Sequence, residues 1–209
     1  LTHAHRAQPA TKIIVKNNPP IACTAPPSDW VQRWSHLVPA GAVVLDVACG
    51  QGRHLRWFRA LGHPVTGIDR DVQAVQSASE VGEAILADIE GAPWPLAGRQ
   101  FGAVVVTNYL WRPLLPTLIA SVAEGGVLLY ETFAHGNASV GRPARPDFLL
   151  QPGELVAACT NLRVEAYENA YLHAPDGSVH FNSAGPAHEH ADAGPPARHP
   201  LAPPPLIER

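Results

Sequence analysis

Short apolar runs alternate with longer polar-and-apolar stretches from residue 43 to residue 167. The runs at 43–47, 84–87, 102–106 and 126–130 are nearly continuous in Val, Ile, Leu, Ala and Gly, and 63–69 is a further short apolar run ending in an acid. Strict alternation would mark a sheet with one wet face. Continuous runs suit strands covered on both faces, as in a parallel sheet flanked by helices. The stretches between them predict helices from about Gly52, over 71–80 and over 114–122. A helix capped by Ser28 or Asp29 precedes them, with Trp30, Val31, Trp34 and Leu37 on related faces. A sixth strand is expected at 162–167. Pro175-Asp176-Gly177 reads as a turn, and only 178–182 remains for a short seventh strand. The order is that of an α/β domain.

The strand ends carry the chemistry. The first run holds Asp46 and leads into Val47-Ala48-Cys49-Gly50-Gln51-Gly52. Two glycines separated by one residue let the backbone turn tightly and pass close to a ligand. The following helix aims its free N–H groups into that space. A dinucleotide fingerprint needs a third small residue three positions after Gly52, where the chain has Leu55. Asp46 would also repel a pyrophosphate. A cationic ligand without phosphate, such as S-adenosylmethionine, suits the acid better. An ordinary βα turn is the plainer alternative. Asp69 falls 17 residues after Gly52, near the spacing at which a carboxylate accepts from ribose hydroxyls. Either it does so, or it or Asp71 caps the next helix. Asp88-Ile89 ends the third run: the acid can accept from an adenine amine while Ile89 packs on the ring, or Asp88 is a turn residue. The fourth run ends at Thr107-Asn108-Tyr109 and the fifth at Glu131-Thr132. Polar groups at five successive strand tips are expected where a ligand lies along the carboxyl edge of a parallel sheet.

These residues resemble the class I S-adenosylmethionine-dependent methyltransferases, of the small bacterial TehB-like type. The resemblance spans residues 30–168 and rests on Asp46–Gly52, Asp69-Arg70, Asp88-Ile89, Asn108-Tyr109 and the Glu124-Gly125-Gly126 entry to the fifth strand. It implies a Rossmann-like three-layer αβα sandwich, mostly parallel, closing in an antiparallel hairpin. It implies S-adenosylmethionine as cofactor, held by Asp46, Ala48, Cys49, Gly50, Gly52, Asp69, Arg70, Asp88, Ile89 and Asn108. It does not imply an acceptor, because one fold serves many chemistries.

Composition narrows the partners. A 209-residue chain that is 46% hydrophobic builds one core. The net charge is −3 with two lysines, and the densest basic cluster is Arg53, Arg56 and Arg59. That is short of the stripe a polynucleotide needs, so a small-molecule acceptor is expected and nucleic acid is disfavoured. The three cysteines show no metal or disulfide spacing, and Cys49 reads as structural. No run reaches membrane-spanning length and none reads as a signal peptide, so the expectation is cytoplasmic. The chain starts at Leu1 without methionine, which reads as a non-standard or truncated start.

The ends read differently from the middle. Residues 1–27 read as a flexible arm, 28–183 as the methyltransferase domain and 184–209 as a proline-rich disordered tail. Histidines 180, 188, 190 and 199 do not read as a metal site without structure to hold them. The hairpin thus reads as truncated, as a frame change in the coding DNA between residues 177 and 184 would leave it. Catalytic candidates are Tyr109, Glu131 and His135. Trp111, Arg112, Arg142 and Arg145 are candidates for holding the acceptor, the last two on a 134–150 loop long enough to act as a lid over an anionic acceptor. The expected function is methyl transfer to a small molecule. A cofactor-binding protein of the same fold without turnover is the second reading. A nicotinamide oxidoreductase is disfavoured by Leu55 and Asp46.

Overall fold

The computed structural model describes residues 25–173 and 179–189. Five strands pair in parallel: β1 (Val44–Val47), β2 (Val65–Asp69), β3 (Glu83–Leu86), β4 (Phe101–Thr107) and β5 (Val122–Phe133). Three more follow: β6 (Leu162–Val164), β7 (Glu168–His173) and β8 (Val179–Glu189), with β8 antiparallel to all its neighbours. The order across the sheet is β3-β2-β1-β4-β5-β8-β6, with β7 on β8. The helices are α1 (Asp29–Trp34), α2 (Arg53–Ala60), α3 (Val72–Ser79), α4 (Leu115–Ala120) and α5 (Glu154–Ala158).

The continuous apolar runs are explained by two cores, one on each face. Successive side chains of a strand point to opposite faces. Leu45, Val47, Val104, Val106, Leu128 and Tyr130 join the core under α4 and α5. Val44, Ala103, Val105, Val127 and Leu129 join the other core, with Trp30, Val31, Trp34, Leu55 and Phe58 of α1 and α2. By the same alternation Asp46 falls on the α2 side. α1 therefore serves as core packing, and none of its residues lines the cavity at the carboxyl edge of the sheet.

The closing hairpin is complete, which corrects the expected truncation and the boundary at residue 184. Asn182–His188 pair with Phe133–Val127 of β5. On its other edge β8 takes β7 against Val179–Ala184 and β6 against Ala187–Glu189. β6 and β7 are thus two halves of one interrupted strand, where the sequence predicts a single strand over 162–167. From Val164 to Glu168 the chain advances four residues while β8 recedes three, from Ala187 to Ala184. One extra residue is left over, as in a bulge. Gly185 and Pro186 lie opposite this break, where no ladder partner exists. Proline in a strand is normally confined to edges or bulges because it lacks a donor. A gap in the neighbour makes Pro186 tolerable in a central strand, and nothing local in the sequence signals it. Residues 190–209, where the rest of the expected tail falls, lie outside the described residues, as do 1–24 of the expected arm.

Removing 184–209 should strip β5 of its neighbour and leave its backbone groups unpaired. Compared with a chain ending at Glu189, the melting temperature is expected to fall by at least about 10 °C, or the shorter chain to be insoluble. Equal melting curves by circular dichroism would show that β8 adds nothing to the fold.

Candidate active site

Parallel pairing sets the strand tips side by side. Val47 stands beside Ile68 and Val106, Asp69 beside Leu86, and Thr107 beside Glu131. A cavity of about 400 Å³ opens along this edge. Ala48, Asp69, Arg70, Asp88, Ile89 and Asn108 line one part of it, all expected from the sequence. Ala87, Glu90, Tyr109, Leu110, Thr132, Phe133, Pro143 and Phe148 complete the lining.

The glycine loop is held down from two sides. Cys49 N–H donates to Ile68 O at 3.0 Å, and Gly50 N–H donates to Asp69 Oδ2 at 2.8 Å. Asp69 Oδ1 accepts from Asp71 N–H at 2.9 Å, while Asp71 caps α3 by accepting from Ala74 N–H at 2.8 Å. The cap is therefore Asp71, and Asp69 links the loop to the cavity wall. Beneath the loop lies Gly67 of β2, where a Cβ would come within 2.8 Å of both Cys49 Sγ and Leu55 Cδ1. The small residue that close helix–strand packing demands thus comes from the neighbouring strand, where a spacing count from Gly52 does not find it. A Cβ on Gly50 would meet nothing within 4 Å; its φ of +52° is what favours glycine there. Two non-glycine residues, Ala48 (φ 54°) and Asn108 (φ 55°), also adopt the left-handed region, and both line the cavity. Such strain costs on the order of 1–3 kcal/mol each and gathers at functional sites.

Some expected residues lie elsewhere. Asp46 is 1% exposed and does not line the cavity. Neither of its carboxylate oxygens has a hydrogen-bond donor among the described residues, and Oδ2 lies 3.6 Å from His54 Nδ1. An orphaned buried carboxylate beneath a ligand-facing loop is costly unless a cation or donor arrives. Cys49 is buried, and burial followed by the nearby Asp46 and Asp69 charges pushes its thiol above the ordinary range. It is structural, not a nucleophile. Arg112 is a clamp rather than an acceptor ligand. Its guanidinium pairs with Glu154 at 2.6 and 3.0 Å and donates to Asp147 O and Leu149 O, both at 2.9 Å. Burial opposes ionisation of Glu154, but Arg112 and the Gln151 amide outweigh it and hold the carboxyl below its usual value.

The 134–150 loop is tied at its base. His135 N–H donates to Leu150 O at 2.9 Å, and Leu150 N–H to Phe133 O at 3.0 Å. Buried Asn137 donates to Pro143 O at 2.9 Å. Arg145 pairs with Asp147 and stacks over Phe148, and neither Arg145, Arg142, His135 nor Trp111 lines the cavity. The loop presents Pro143 and Phe148 instead. Tyr109 does line it. Burial, followed by the Glu90 carboxylate beside it, pushes its hydroxyl above the usual range, and the hydroxyl oxygen itself is buried.

Sequence reading missed a latch. Ser28 Oγ caps α1 by accepting from Trp30 N–H at 3.1 Å, and also donates to Glu131 Oε2. Ser28 N–H donates to His54 Nε2 at 3.2 Å. An amide can only donate, so Nε2 accepts and the ring proton sits on Nδ1, facing Asp46. Residues 28, 54, 46 and 131 connect α1, the helix after the glycine loop, β1 and the β5 tip. Glu131 is reached by this latch rather than by the cavity. Among the described residues no helix is long and apolar enough to cross a membrane, and no acid–His–Cys group has metal-site geometry. His190 and His199 lie outside the described residues.

A family profile described as "Methyltransferase domain" matches residues 44–125. Those residues run from β1 into the start of β5 and hold the whole glycine-loop side of the cavity. The chain has the fold of a class I S-adenosylmethionine-dependent methyltransferase. TehB from Haemophilus influenzae superposes with a TM-score of 0.62 at 21% identity, over 78% of this chain and 62% of that one. The glycopeptide N-methyltransferase MtfA, solved with S-adenosylhomocysteine, superposes at 0.56 with 16% identity, over 80% of this chain and 91% of that one. In sequence, ribosomal protein L11 methyltransferase of Burkholderia vietnamiensis is 36% identical over 102 residues, covering 47% of this chain and 33% of that protein. Malonyl-[acyl-carrier protein] O-methyltransferase of Salmonella typhimurium is 36% identical over 104 residues, covering 46% of this chain and 41% of that protein. The chain thus spans about a third to two fifths of the length of these curated relatives.

Replacing Ser28 with alanine removes the cap and the Glu131 contact together. Caps of this kind contribute about 1 kcal/mol. Hydrogen exchange over residues 29–37 is expected to speed up at least about fivefold, with exchange in β4 unchanged. Unaltered exchange at 29–37 would rule the latch out.

Proposed function

We propose that this chain binds S-adenosylmethionine along the carboxyl edge of its sheet and transfers the methyl group to a small-molecule acceptor. The observation that carries this is the joining of the glycine loop to Asp69 beside a cavity lined by Asp88, Ile89 and Asn108. Asp69 offers its carboxylate to the ribose hydroxyls, with Arg70 beside the adenine. Asp88 already accepts from Glu90 N–H at 3.0 Å, which orients it, and a free lone pair remains for the adenine amine. Ile89 packs on the ring. Ala48, Gly50 and Gly52 let the backbone approach the amino-acid part, and the Asp46 charge beneath them, with neither oxygen hydrogen-bonded, favours a cationic ligand.

The cofactor supplies a methyl group on a sulfonium, whose sulfur leaves as a neutral thioether. The leaving group is already good, so the residues of this chain mainly align the acceptor and exclude water. We assign this alignment to Asn108 and Tyr109, which follow β4 and line the cavity. Domain limits of 28–189 suit the reading, since β8 completes the sheet on which the tips are mounted.

Asp69→Ala removes an acceptor for two hydroxyls and the tie to Gly50. Charged hydrogen bonds contribute roughly 1.5–3 kcal/mol each. Affinity for S-adenosylhomocysteine by calorimetry is therefore expected to drop at least about tenfold. A folded variant with unchanged affinity would falsify the assignment of Asp69.

A further inference from the structure

We propose that His54 is a positioning residue for cofactor binding: neutral, it ties two walls of the site together through Ser28, and protonated, it lets them go. This rests on the reading of the cavity as the S-adenosylmethionine site. Ser28 has one partner on each wall. Its N–H donates to Nε2 of His54, in the first turn of α2 directly after the glycine loop, at 3.2 Å. Its Oγ donates to Glu131 Oε2 near the end of β5. Ala48 of the glycine loop lines the cavity, and so do Thr132 and Phe133, the two residues after Glu131. β4 lies between β1 and β5, so the Ser28 latch spans the strand that leads to Asn108. Ala48 and Asn108 both hold left-handed backbone. Such strain persists only where the surroundings over-determine it, and the latch is a constraint from outside the sheet.

Two neighbours of the His54 ring favour opposite protonation states. Ser28 N–H can only donate, so it requires a lone pair on Nε2. Nδ1 lies 3.6 Å from Oδ2 of Asp46, a buried carboxylate with no hydrogen-bond donor among the described residues. A bare carboxylate favours an imidazolium. The neutral ring keeps Ser28 and offers Asp46 only a dipole. The imidazolium gains Asp46 but carries a proton on Nε2 as well, which sets two donors against each other and breaks the latch. Other charged or titratable groups on the elements around the ring are Asp69 at the end of β2, Cys49 in the glycine loop, Asp29 on α1, Glu131 behind Ser28, and Arg53 beside it on α2, whose guanidinium donates to Pro26 O at 3.4 Å. Histidine changes charge between roughly pH 5 and 8. The latched form binds one proton fewer than the released form. Cofactor affinity is therefore full on the alkaline side of that range and falls as the pH is lowered through it.

Calorimetry with S-adenosylhomocysteine at about pH 8 and about pH 5.5 tests this, since ordinary carboxylates stay ionised at both. The wild-type chain is expected to bind at least about fivefold more weakly at the lower pH. His54→Gln supplies an amide oxygen that can accept from Ser28 N–H and takes up no proton, so its two affinities should agree within about twofold. The other histidines are unchanged in this variant, so the difference belongs to His54. Ring 15N shifts of the wild-type protein give a second measurement that needs no variant. The His54 titration is expected to move to lower pH on saturation with S-adenosylhomocysteine, because coupling between two binding events is reciprocal. Equal affinity at both pH values overturns the proposal. So does the same fall in the glutamine variant as in wild type, or a His54 titration that the ligand leaves in place. If the variant does not fold, the ring shifts decide alone. Absence of S-adenosylhomocysteine binding at either pH overturns the methyl-transfer reading and the proposal with it, a result distinct from binding without pH dependence.

Discussion

Parallel hydrogen bonding of β1 with β2 and β4 is the constraint on which the site depends. Parallel ladders pair residues along slanted bonds, and the register is fixed because each strand is buried on both faces. A slip of one residue would send Asp46 into the opposite core. With the register held, every strand ends at one edge, and residues far apart in the chain become neighbours. Gly50 reaches Asp69, and the amide of Asn108 donates to Glu131 O at 2.9 Å.

The glycine loop shows how packing beneath a site shapes the site above it. Gly67 leaves room for Cys49 and Leu55, so the loop can lie flat on β2. The loop then exposes Gly50 to open space and keeps Ala48 in a strained conformation. The buried charge of Asp46 sits under the same turn, next to His54. A fold that keeps a carboxylate without donors in its interior, at the place where a cationic ligand is expected, gives up stability there for binding.

The segments after β4 and β5 follow a different rule. They supply part of the cavity lining, and two of their arginines hold the segments together. Arg112 draws residues 147–154 onto the end of β4, and Arg145 is folded back on its own turn. What is left to face the cavity is aromatic and apolar. Arg112 and Arg145 thus satisfy nearby carboxylates and carbonyls before any ligand reaches them.

The sequence by itself determined the order of elements from β1 to β5, the glycine turn and the acids at or just after the tips of β2 and β3, because these depend on local periodicity and on residues within one turn of a strand end. The same local logic narrowed the caps to Ser28 or Asp29 and to Asp69 or Asp71. It did not determine the role of Asp69 against Asp71, the position of Asp46 below rather than in the cavity, or the use of Arg112. Each of those is settled by packing partners that no local pattern names: Gly50, 19 residues away, for Asp69; His54 and the buried face for Asp46; Glu154, 42 residues away, for Arg112. Only the tertiary structure decided that 184–189 form a strand. Proline and glycine there argue against a strand in any local reading, and it takes the break between β6 and β7 on one side and the open edge of β5 on the other to make one.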